Sequence, residues 1–135
     1  MELLITGTLM AVCAVGATLG NAPIRALLRR IDPPTPGGPA QPSLLGVTKE
    51  LPGGRWIGIL ERLATYICLV TGFPAGIAMI LAVKGLGRYP ELRTGENPRV
   101  GELFIIGTFA SLLWAVAWAG LALGGQYVSA LIAQG

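Results

Sequence analysis

Residues 56–88 read WIGILERLATYICLVTGFPAGIAMILAVKGLGR, two apolar arms on either side of Gly72-Phe73-Pro74 with a charge set inside each arm. Glu61 lies twelve residues before Phe73 and Lys84 eleven after it. In an antiparallel helical hairpin two such positions fall at nearly the same depth, so Glu61 and Lys84 are expected to face each other. Trp56 to Thr71 spans sixteen residues, about 24 Å as a helix, and Pro74 to Arg88 fifteen, about 22 Å. Both fall short of a hydrocarbon core of about 30 Å. The expectation is nonetheless that both arms cross the bilayer, by an extra turn or by local thinning, with a re-entrant hairpin as the alternative. Pro74 suits the first turn of the second arm, where its missing N–H costs nothing.

Working outward, Leu3 to Leu19 is an apolar run of about minimum spanning length, and the expected helix covers 3–30, ending on Arg25, Arg29 and Arg30. No basic residue precedes the run, so it is expected to stay as a helix rather than be cleaved as a signal peptide. Residues 32–54 hold prolines at 33, 34, 36, 39, 42 and 52 and read as an irregular linker. Beyond the central arms, 89–101 reads as a polar connector broken by Pro90, Gly95 and Pro98. A further spanning helix is expected at 102–123, then a weakly apolar tail at 124–135. The predicted fold class is all-α: a single integral membrane domain, 1–135, of four transmembrane helices built on a central helical hairpin.

Composition narrows the function classes. With 53% hydrophobic and only 13% charged residues, and a mean hydropathy of +0.65, the chain lies outside the usual soluble range. The formal charge of +3 is spread through short segments between apolar runs, which speaks against nucleic acid as a partner. The absence of histidine excludes His-based acid/base chemistry and His metal ligation. Cys13 and Cys68 lie inside apolar runs, lack redox or zinc spacing, and read as small apolar fillers. No Gly-rich phosphate loop and no nucleophile beside a base is visible, so no catalytic residue, cofactor or metal is expected.

Four apolar segments put the two longer connectors on one side and the 72–74 turn with both termini on the other. All ten basic residues, Arg25, Arg29, Arg30, Lys49, Arg55, Arg62, Lys84, Arg88, Arg93 and Arg99, fall on the connector side. The positive-inside bias then places both connectors in the cytoplasm and both termini outside, as in a multi-pass protein of a cell (inner) membrane.

Glu61, Arg62, Lys84, Arg88 and Glu102 form the candidate charged cluster, all in the cytoplasmic third of the bundle. Lys84 and Arg88, four residues apart, share a helix face, so Glu61 and Glu102 are each expected to meet one of them. Such a cluster reads either as an ion or proton path or a site for an anionic lipid at the cytoplasmic face, or as charges that lock helix register and snorkel to the interface. Small-residue spacings at Gly16/Gly20, Gly107/Ser111 and Gly120/Gly124 mark candidate helix-packing positions. Packing among the four helices is the first expectation for them, with a homo-oligomer or another membrane protein as the partner otherwise.

At IGILER (57–62), AVKGLGRYPEL (82–92) and GELFIIGTF (101–109) the chain resembles a family of uncharacterised small bacterial integral membrane proteins with the patterns IGxLER, AKSxxRFxEL and EYFLIGT. The resemblance covers the C-terminal half. Carried over by position, the family's charged residues are Glu61, Arg62, Lys84, Arg88, Glu91 and Glu102. Gly85 stands where serine is usual, Pro90 interrupts the second motif, and Leu103 replaces an aromatic residue. The resemblance implies a bacterial membrane location and no particular activity. The functional expectation is a non-enzymatic accessory or scaffold, with a small transporter or channel using Glu61, Lys84 and Glu102 as the alternative. A holin, which usually carries a strongly charged tail, fits less well.

Overall fold

The computed structural model describes residues 2–31, 33, 54–94 and 98–134, with no account of the side chains of Glu2, Arg88, or residues 90–94 and 98–100. Most of the expected linker at 32–54 lies outside the described residues. Among the described residues the chain is all-α, with five helices and no strand: α1 (Glu2–Thr18), α2 (Asn21–Ile31), α3 (Gly54–Val70), α4 (Gly76–Thr94) and α5 (Pro98–Gln134). Two stretches, Leu3–Ile31 and Gly101–Gln134, are long and apolar enough to cross a membrane, and Gly76–Gly87 is apolar but shorter.

Several boundaries differ from expectation. The first helix is not continuous over 3–30 but breaks at Leu19-Gly20. Pro23, in the first turn of α2, has no N–H to offer the Leu19 carbonyl, so the hydrogen-bond ladder is interrupted there. The local bonds that remain are Leu19 N–H to the Gly16 carbonyl at 3.2 Å and Ile24 N–H to the Gly20 carbonyl at 3.2 Å. Helix α4 runs on through Pro90 to Thr94, and α5 starts at Pro98, so most of the expected connector at 89–101 is helical. The expected tail at 124–135 is helical as far as Gln134, carrying α5 to 37 residues, about 55 Å. The Gly124-Gly125 pair does not stop α5, because Gly125 sits in helix-to-helix contact, its missing Cβ giving room to Leu9 of α1.

The turn between α3 and α4 is where glycine is required. Gly72 has φ of +73°, Phe73 N–H bonds to the Cys68 carbonyl at 2.7 Å, and Gly72 N–H bonds to the Leu69 carbonyl at 3.1 Å. This is the Schellman pattern, in which a left-handed residue closes off the last carbonyls of a helix. Pro74 lies in the turn, two residues ahead of α4. The chain then packs α4 mainly on α3, while α5 packs on both α1 and α3, and α2 lies against α5 and α3.

Small side chains make the core. Cys13 and Ala17 of α1, Tyr66 of α3, and Ala119 and Ala122 of α5 are buried together, with Leu9, Met10 and Trp118 around them. The Tyr66 hydroxyl donates to the Met10 carbonyl at 2.9 Å, which satisfies its one buried polar atom. A Cβ at Gly16 would lie 2.7 Å from the Trp118 ring, and one at Gly20 would lie 2.6 Å from Trp114. These glycines bring the α1 backbone onto indole faces of α5. Large apolar residues, by contrast, point outward on every long helix: Leu3 and Val12 on α1, Trp56 and Leu60 on α3, Met79, Val83 and Leu86 on α4, Phe109, Leu121 and Ile132 on α5.

Candidate functional site

Helices α2, α3, α4 and α5 surround a cleft of about 730 Å³. One face of α5 forms a wall of it: Phe104, Gly107, Thr108 and Ser111 follow the i, i+3, i+4, i+7 spacing that aligns side chains along a helix. Ile57, Gly58, Leu60, Glu61, Arg62 and Ala64 line it from α3, and Met79, Ile80, Val83, Lys84 and Gly87 from α4. Helix α2 contributes Asn21, Ile24, Arg25 and Leu28, and Arg55 stands at the start of α3.

Lys84 Nζ donates to Glu61 Oε2 in an ion pair whose side chains are 20% and 13% exposed. The same ammonium lies 5.8 Å from the centroid of the Phe104 ring, within reach of a cation–π attraction. Glu102, expected to meet Lys84 or Arg88, is exposed and makes no ion pair with a described residue. The cause is rotation along α5: two residues turn a helix by about 200°, so the face that brings Phe104 to Lys84 carries Glu102 away. The Arg88 side chain lies outside the described residues.

Arg62 follows Glu61 in sequence yet serves a different junction. Only 3% exposed, it donates from Nη2 to the Thr18 carbonyl at 3.1 Å and to Asn21 Oδ1 at 2.8 Å, and from Nη1 to Ser111 Oγ at 3.3 Å. Thr18 is the last residue of α1, where carbonyls lose their helical partners, and Asn21 opens α2. The guanidinium therefore bridges the break between α1 and α2 and ties it to α5. Trp114 Nε1 assists by donating to the Gly16 carbonyl at 3.1 Å, and its ring meets Trp118 edge-on at 6.2 Å.

The expected packing positions divide. Gly16 and Gly20 are buried against Trp118 and Trp114, Gly107 faces Leu28 with 3.5 Å to a hypothetical Cβ, and Ser111 is buried on Arg62. Gly120 and Gly124 are exposed with nothing within 4 Å, so the internal packing expected of them is absent among the described residues. Charge spacing alone pointed to neither Asn21 nor Thr108. The periodic face 104–107–108–111 is the signal that finds Thr108.

Among the described residues no three His, Cys, Asp or Glu side chains gather as metal ligands. Among the described residues the cleft presents a mostly apolar lining with four cationic side chains, Arg25, Arg55, Arg62 and Lys84, and one carboxylate, that of Glu61. Such a surface is complementary in charge and polarity to an anionic group beside an apolar one. No family model, curated protein or solved structure matches the chain.

Proposed function

We propose that the chain is a four-span protein of a bacterial inner membrane, built on a central helical hairpin, that works as a non-enzymatic accessory or scaffold. The outward apolar side chains of α1, α3, α4 and α5 support the membrane reading, because exposed apolar surface on every long helix needs lipid or protein to cover it. Small residues at the helix contacts support it too, since helices in lipid associate by close backbone approach. Helices α3 and α4, about 25 Å and 28 Å long for their 17 and 19 residues, come close to the thickness required. The motifs at 57–62, 82–92 and 101–109 join the chain, within the same proposal, to the small membrane-protein family they resemble.

The observation that carries the scaffold reading is where the interior charges go. Glu61 is taken up by Lys84 across α3 and α4, and Arg62 by neutral groups of α1, α2 and α5. Each is committed to holding one helix to another. A transport cycle needs an ionisable group that changes partner and meets water from both sides. Purified protein in liposomes is therefore expected to pass no proton or cation current above empty liposomes, and Glu61→Gln to act by lowering protein level or complex formation. A reproducible flux abolished by Glu61→Gln in stably folded protein would make the chain a small transporter or channel instead.

A further inference from the structure

The α2–α5 cleft has more positive charge than the fold uses. Lys84 is neutralised by Glu61, and Arg62 is spent on the α1/α2 break, but Arg25 and Arg55 are exposed on the cleft lining and make no ion pair with a described residue. Among the described residues two buried side-chain polar atoms are also without a hydrogen-bond partner, Arg62 Nε and Thr108 Oγ1, and both belong to residues that line this cleft. Buried donors in that state are rare in folded proteins and call for an acceptor. Around them the lining is apolar, and at Ile57, Leu60, Met79 and Val83 it is also exposed to the surroundings, at 55%, 60%, 65% and 70%. A volume of about 730 Å³ lies within the range of ligand sites.

We propose that this cleft binds one anionic phospholipid, with its phosphate on Arg25 and Arg55, its acyl chain along the apolar side chains of α3 and α4, and its polar oxygens accepting from Arg62 Nε and the Thr108 hydroxyl. The proposal rests on the membrane reading above. Charge complementarity selects this occupant. A free phosphate leaves the apolar lining uncovered, and a zwitterionic lipid brings its own cation to a site that already holds an excess of them. The α2 helix supports the assignment, since Arg25, Arg29 and Arg30 sit on an amphipathic segment at the end of the bundle where a cytoplasmic headgroup layer would lie.

The test uses the full chain purified in detergent, read by native mass spectrometry against phosphatidylglycerol, phosphatidylcholine of identical acyl chains, and inorganic phosphate. One phosphatidylglycerol per chain should be retained, with a preference over phosphatidylcholine of about tenfold or more for two basic contacts. The Arg25→Gln/Arg55→Gln double variant, altered only at exposed positions, should lose most of that preference. Thr108→Val should weaken retention of phosphatidylglycerol while the preference persists. Equal retention of the two lipids, an undiminished preference in the double variant, or stoichiometric retention of inorganic phosphate would overturn the site. Extraction of the native membrane with alkaline carbonate separates the two proposals. A chain that stays with the membrane and shows no lipid preference loses the lipid site alone, whereas a chain released by carbonate loses the membrane reading as well.

Discussion

The seam between α1 and α5 and the pair formed by α3 and α4 hold together by opposite means. Along the seam, Gly16 meets Trp118, Gly20 meets Trp114, Gly125 meets Leu9, and Ala17, Ala119 and Ala122 are buried. Charge enters only at its Gly20 end, where Arg62 of α3 ties the Thr18 carbonyl to Ser111. In the α3–α4 pair only Gly76 is buried among the described residues of α4, and the contact rests on the Gly72 turn and the Glu61–Lys84 ion pair. The lesson is that shape fixes the first pair along its length, whereas the second is pinned at its two ends, and the cleft opens beside the pinned helix.

The largest effect is expected at the end of the α3–α4 pair that the ion pair holds. Removing one partner leaves the other charge partly buried and unpaired, so Glu61→Gln or Lys84→Met should each destabilise the protein by about 3 kcal/mol, and the double variant by less than the sum. Thermal unfolding of the four proteins in one detergent measures this. Strictly additive losses would show that the two side chains do not interact.

A smaller and more local effect separates the close seam from the open helix face. Adding a methyl group to a helical glycine normally favours the helix, by up to about 1 kcal/mol. At Gly16 that gain is outweighed by overlap with the rigid Trp118 ring, so Gly16→Ala should lower stability by about 2 kcal/mol. Gly120→Ala, with open space around it, should not lower it. Equal losses at the two positions in monomeric protein would mean that the seam is not where the structure puts it.

The legible part of the molecule is the part governed by counting. Positions nearly equidistant from Phe73 announce that Glu61 and Lys84 lie level, and the proline and glycine of the turn announce the reversal. The break at Leu19-Gly20 was hidden because the apolar run passes through it without a change of character, although Pro23 holds the physical reason. Arg62 was grouped with the charges beside it, whereas its partners are a helix-end carbonyl, an amide and a hydroxyl, which carry no charge to signal them. Glu102 was expected in the cluster by depth alone. Depth fixes height along a helix and not the direction of a side chain, and two residues of α5 separate inward Phe104 from outward Glu102.

Single-cysteine labelling in intact cells tests most directly how the chain crosses the membrane. On a background lacking Cys13 and Cys68, Phe73→Cys at the exposed turn and Gln134→Cys at the end of α5 are expected to react with an impermeant thiol reagent from outside. Ser43→Cys in the first connector and Thr94→Cys at the end of α4 are expected to react only after the cells are opened. Labelling of Ser43→Cys from outside, or protection of Phe73→Cys in folded protein, would contradict the four-span arrangement.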